Sequence, residues 1–242
     1  MAHGLPDYGV YAPKVTVSAL ADMAELAARL GSIDTFERKG DVLWLDDFND
    51  GIHKWTTELT EDRGSVEWDG NHARNGGFCA KLTSGDEEDD KARIIRKMPI
   101  ASLSKIGLEV SFTVHANAKT VQFELHLNEG LYKHNIAVGW TAIDKVWTYT
   151  LTEGVYVDLE PSVTLATDEW VFHTMKIVAD LNTHKFCHLI SNYTHFDMTD
   201  IPYYYTGEEL APYLHLYVTC IGNGDGAAIM YVDDVILTQN EP

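Results

Sequence analysis

Cysteine is scarce in this chain: three residues, at positions 79, 187 and 220, with no Cys-x-x-Cys spacing. An odd, scattered set argues against a disulfide framework and against a structural zinc site. Basic residues are also few, 18 Lys and Arg against 37 Asp and Glu, for a formal net charge of -19. A surface of that sign repels phosphate backbones, and no Lys/Arg-rich stripe relieves it, so nucleic acid is not an expected partner. Apolar runs are short and broken by charges, which excludes a membrane-spanning helix. The opening Met1-Ala2-His3-Gly4-Leu5-Pro6-Asp7 lacks the basic-then-apolar order of a secretory signal. Synthesis and retention in a cytoplasm, until assembly or lysis, is therefore the expectation; a signal removed beforehand would instead place the protein outside the cell or on its surface.

Catalytic signatures are missing too. There is no G-x-S-x-G elbow, no phosphate-binding P-loop and no H-E-x-x-H. Glu109 and Glu124 stand singly, and the acidic run at 85–90 reads as a solvated loop. His184 and His188, four apart, would share one face of a strand, but no third metal ligand is in register with them. No enzyme activity is expected from these residues.

What the chain does have is a core. Apolar residues make up 45% and aromatics 11%, enough for a globular domain. Residues 1–15, with Gly4, Pro6, Gly9 and Pro13, read as an extended arm. Ser18 to Gly31 reads as one short helix: Ser18 caps it, Gly31 stops it, and Leu20, Met23, Ala27 and Leu30 share a face. A helix so short is marginal alone and must dock on something. From Asp41 the apolar period becomes two, most clearly in Leu108, Val110, Phe112 and Val114, and again in Val121, Phe123, Leu125 and Leu127. Many short alternating strands separated by turn residues predict an antiparallel β-sandwich. The organisation is then residues 1–40 as arm and docking helix, and 41–242 as the sandwich. Residues 197–212, around Tyr203-Tyr204-Tyr205, read as a long ordered loop.

Two segments carry a resemblance. Leu45-Asp46-Asp47-Phe48-Asn49-Asp50-Gly51-Ile52-His53-Lys54-Trp55 opens the sandwich, and Tyr231-Val232-Asp233-Asp234-Val235 lies in its closing strand. Together they resemble the jelly-roll domains of the concanavalin A-like lectin and carbohydrate-binding-module superfamily, over roughly residues 41–238. The resemblance implies a mainly β fold with first and last strands side by side, and acidic residues there that hold a structural calcium. Asp47, Asp233 and Asp234 are the matching candidate calcium ligands; the alternative is that they cap strand ends and turns. No E-x-D-x-x-E strand, the mark of the glycosidases of this fold, is present.

Exposed rings would stack on the C–H-rich faces of sugars. Trp140, Trp147, Tyr203, Tyr204 and Tyr205 are the candidate glycan or partner contacts, the tyrosine run foremost because three successive rings cannot all point inward. The expectation is a non-catalytic structural or binding protein: first a phage virion component, a capsid decoration or tail protein, joined through its N-terminal arm to copies of itself or other virion proteins. The alternative is a carbohydrate-binding module of a bacterial surface or polysaccharide-utilisation system; a glycoside hydrolase or lyase comes third.

Overall fold

The period-two alternation is realised as strands throughout. The computed structural model describes residues 40–74, 76–99 and 104–242. The expected arm and the Ser18–Gly31 helix lie outside the described residues. The strands are β1 (Asp41–Asp46), β2 (Thr56–Leu59), β3 (Ser65–Asp69), β4 (Cys79–Thr83), β5 (Glu88–Met98), β6 (Lys105–Phe112), β7 (Ala118–Asn128) and β8 (Tyr132–Thr141). They continue as β9 (Val146–Thr152), β10 (Val155–Leu159), β11 (His173–Asp180), β12 (Lys185–Ser191), β13 (Thr194–Asp197), β14 (Tyr204–Gly207), β15 (Tyr213–Asn223) and β16 (Ile229–Gln239). Among the described residues the only helical segment is a 3-10 turn at Thr60–Asp62.

Two antiparallel sheets form the sandwich. The first runs β13-β12-β11-β6-β16-β4-β3, with β1 also on β16; the second runs β10-β9-β8-β7-β15-β5-β2, with β14 on β8. First and last strands are thus neighbours, Asp41 opposite Gln239 and Asp46 opposite Val235, as the resemblance implied. Between the sheets, Leu108, Val110 and Phe112 of β6 meet Phe123, Leu125 and Leu127 of β7 in one buried cluster. The Phe112 and Phe123 rings lie 4.8 Å apart. Each such fully buried side chain contributes about 1.5–3 kcal/mol.

Three of the expected glycan contacts belong to this core. Trp140 and Trp147 are 1% and 0% exposed, and Tyr203 is buried as well. The hairpin register explains the two tryptophans: Trp140 pairs with Trp147 across β8 and β9, in the same inward row as Val138 and Tyr149. Trp147 packs on Phe112 and Phe123, and the Trp140 indole donates to the Val163 carbonyl at 2.8 Å. A ring enclosed in this way cannot stack on a ligand. The presumed loop at 197–212 also contains a strand, β14, whose Tyr204 and Tyr205 pair with Asn135 and His134.

Outward from the first sheet, polar groups are buried and matched. Lys176 Nζ lies 3.1 Å from Glu109 and 2.8 Å from Glu241, and the Thr238 hydroxyl donates to Glu241 at 2.5 Å. Gly107 makes this possible, since a Cβ there would fall 2.9 Å from the Glu241 carboxylate. The acidic run at 85–90 is only partly a solvated loop. Asp90 is buried, gripped by Arg63 through Nε at 2.8 Å and a terminal nitrogen at 2.6 Å.

Candidate functional site

At the junction of β1 and β16 the carboxylates are present but divided among separate partners. Asp46, not Asp47, is buried; it accepts from the Trp55 indole at 2.9 Å and the Phe48 amide at 3.1 Å, with Lys54 at 3.3 Å. Asp47 turns outward and caps its own turn, accepting from the Asn49 side chain at 2.7 Å. Asp233 accepts from the Arg74 amide at 2.9 Å, and Asp234 from the Arg74 guanidinium at 2.7 Å. Arg74 thus places its own positive charge beside Asp234. Among the described residues no cluster of three or more His, Cys, Asp or Glu side chains could hold a metal ion. Asp47 is not brought together with Asp233 and Asp234 by any contact of this set.

The histidine pair separates as well. His184 has φ 56° and precedes β12, so the strand spacing does not apply to it. Its ring lies 4.1 Å from Tyr205, whereas His188 stacks on His195. The tyrosine run divides by alternation. Tyr203 points inward, its hydroxyl 3.0 Å from His134 Nδ1; Tyr204 is half-buried and Tyr205 is 43% exposed. Burial, then the neighbouring His184, pushes the His134 imidazole down to about 4.

The most developed chemistry lies on the outer face of the second sheet. Alternation sends Gln122, Glu124 and His126 of β7 outward, and the register sets them beside Thr219, Tyr217 and His215 of β15. On the other side of β7 they face Gly139, Ala137 and Asn135 of β8. Arg93 of β5 pairs with Thr219. Glu124 is the centre: His126 Nε2 lies 2.8 Å away and Arg93 3.3 Å. The His126 contact is an ion-pair distance without the alignment of a directed hydrogen bond. Arg93 is fixed by the Thr219 hydroxyl at 2.8 Å and lies 5.1 Å over the Tyr217 ring. His126 also packs on Tyr217 at 4.6 Å, and Tyr217 Oη meets His215 Nδ1 at 3.3 Å. Gln122 donates to Tyr156, whose ring is 45% exposed.

Electrostatics follow from this packing. Burial pushes the Glu124 carboxyl up, but His126 and then Arg93 and Lys91 outweigh it and hold the group below the usual range. Burial raises the Tyr217 phenol, and burial followed by Lys97 and His126 lowers His215. The face therefore offers an ionised acceptor, a guanidinium, phenols and an imidazole. The Asn135 side-chain oxygen, Oδ1, is buried with no hydrogen-bond partner. Beside these groups, Ala137 and Gly139 of β8 are buried. A Cβ on Gly139 would come 3.2 Å from Gln122.

The sequence indicated this row only as a wet face. Its members come from β5, β7, β8 and β15, so no local motif joins them. The available signal was Gln122-x-Glu124-x-His126 on one face of a strand.

No protein-family model and no curated protein sequence matches this chain. Solved structures do match. An endo-β-1,4-glucuronan lyase from the fungus Trichoderma reesei superposes with a TM-score of 0.59 at 10% identity, over 82% of this chain and 96% of the lyase. A carbohydrate esterase, vb_24B_21, from the Shiga toxin-encoding bacteriophage phi24B gives 0.54 at 15%, over 84% and 100%. The carbohydrate recognition domain of Emp47p gives 0.53 at 10%, over 80% and 93%. At such identities the likeness is one of fold: the chain has the antiparallel β-sandwich of these proteins. Enzymes and lectins both use it, so activity must be argued from the site.

Proposed function

We propose that this is a glycan-binding protein without catalytic activity, whose ligand lies across the outer face of the second sheet. The observation that carries this reading is the preorganised row of Arg93, Glu124, His126 and Tyr217 on that face. An ionised carboxylate and a guanidinium, each already oriented, suit the paired hydroxyls of a sugar. Glu124 is engaged by a histidine and an arginine and held ionised, which favours accepting hydrogen bonds over donating a proton. Display on a virion, through residues 1–40, is the setting we favour. The Gly- and Pro-containing sequence at 1–15 and the apolar spacing at 18–31 support it, as does the use of the same fold by a phage-encoded protein.

The test is an array of neutral and uronate-containing oligosaccharides, followed by calorimetry on any hit. Tyr217→Ala and Arg93→Gln should each weaken binding at least tenfold while the protein melts as a folded domain. An array without hits, or hits unaffected by either substitution, would overturn the reading. A second reading, an acid–base enzyme acting on glycans, is favoured by the Glu124–His126 and Tyr217–His215 contacts. New reducing ends released from a bound polysaccharide, and lost in His126→Ala, would establish it instead.

A further inference from the structure

A different end of the molecule carries a second arrangement suited to sugars. Trp170 is 68% exposed, far more than the core tryptophans, yet it is held in place. Its backbone amide donates to Asp168 at 2.8 Å. Its ring lies 4.2 Å from His72, and His72 in turn stacks on Tyr231 at 4.0 Å with the planes 16° apart. His72 is locked by Asp69, which accepts from its amide at 3.0 Å and lies 3.1 Å from Nδ1. The indole is therefore the outer member of a three-ring column, one face packed and the other open.

Hydrogen-bonding groups surround the column. Glu169 reaches His72 Nε2 at 3.8 Å and His115 Nε2 at 3.7 Å, and it retains about a third of its side-chain exposure. These distances are long for direct bonds, and although Tyr231 also bonds to Glu169, a carboxylate has several acceptor positions, so capacity remains for a ligand hydroxyl. A solitary exposed tryptophan usually needs no explanation. This one differs because His72, itself stacked on Tyr231, and an Asx turn immobilise it beside an ionisable acceptor.

We propose that Trp170, Glu169 and His115 form a second, independent carbohydrate site. It takes a pyranose whose C–H-rich face lies on the indole and whose neighbouring hydroxyls reach Glu169 and His115. The inference rests on the glycan-binding reading but on none of the same residues. Two sites on one chain raise the apparent affinity for a polysaccharide long enough to engage both, by effective concentration.

Intrinsic fluorescence and calorimetry of the full chain test it, using the oligosaccharides that score on the array. Trp170→Ala should weaken binding of part of that set at least tenfold and remove the shift in tryptophan emission on binding. Trp170→Phe should restore part of the affinity, and neither substitution should lower the melting temperature. If Tyr217→Ala abolishes all binding while Trp170→Ala leaves every affinity unchanged, this second site is refuted and the first stands. If the wild-type chain binds no glycan, both fail together.

Discussion

Replacing His134 with Gln should flatten part of the acid limb of the stability profile. His134 has no exposed surface, sits against Tyr203 and His184, and is pushed by burial, then by His184, down to about 4 from the ordinary 6.5 of a histidine. Between those values the unfolded chain takes up a proton that the buried ring refuses. More protons are then bound to the unfolded state, so stability falls as the pH drops. The contribution is complete above 6.5, declines through that interval and is exhausted below about 4. A gap of roughly 2.5 units, at about 1.4 kcal/mol per unit, sets the loss at about 3 kcal/mol. His173 and His215 are lowered too, by burial first, so the wild-type slope contains all three. Subtracting the His134→Gln profile isolates one. The assay is urea unfolding followed by tryptophan fluorescence, at steps from pH 4 to neutrality. Parallel profiles for the two proteins would refute the argument, whatever their offset.

Other outcomes follow from the same geometry. Arg74→Ala should destabilise the fold by about 2–4 kcal/mol, because Asp234 loses the guanidinium paired with it while the backbone amide still serves Asp233; an unchanged urea midpoint would contradict this. With Arg74 in that place, adding calcium or EGTA should leave the melting temperature where it is, and a calcium-dependent rise would restore the ion to Asp47, Asp233 and Asp234. Trp147→Ala should cost about 3–5 kcal/mol as a core cavity without changing glycan affinity in protein that remains folded. A loss of affinity at full stability would return Trp147 to the binding surface.

Much of the sandwich was legible because half-buried strands advertise themselves by alternation. Phe123 and Glu124 point in opposite directions in the sequence pattern and in the structure, whereas in β6 the expected wet residues Glu109 and Ser111 are buried too. What escaped was everything set by pairing between distant strands. The short strands β2, β13 and β14 have too few residues to show a period, and β14 lay inside a segment rich in Pro and Tyr. Trp140 and Trp147 read as eligible surface rings because burial depends on which face the hairpin register turns inward. Asp233 and Asp234 read as calcium ligands or strand-end caps because their partner Arg74 is some 160 positions away. The outer face of the second sheet was hidden for the same reason: Arg93 and Glu124 meet only after β5, β15 and β7 are assembled.

The pairing of β1 with β16 has a mechanical consequence. Residues 40 and 239 leave the sandwich at one corner, whereas Trp170 lies just before His173, which pairs with Phe112 at the opposite end of β6. Ladder bonds run perpendicular to their strands. Tension between residues 40 and 240 therefore peels β1 away one bond at a time, while tension between that corner and the Trp170 end loads the whole ladder of β6, β11 and β16 in shear. Single-molecule pulling in the two geometries should give low rupture forces for the first and high forces for the second; equal forces would dismiss the idea. A molecule anchored at the corner and holding a glycan at the far end would be loaded along its strong axis.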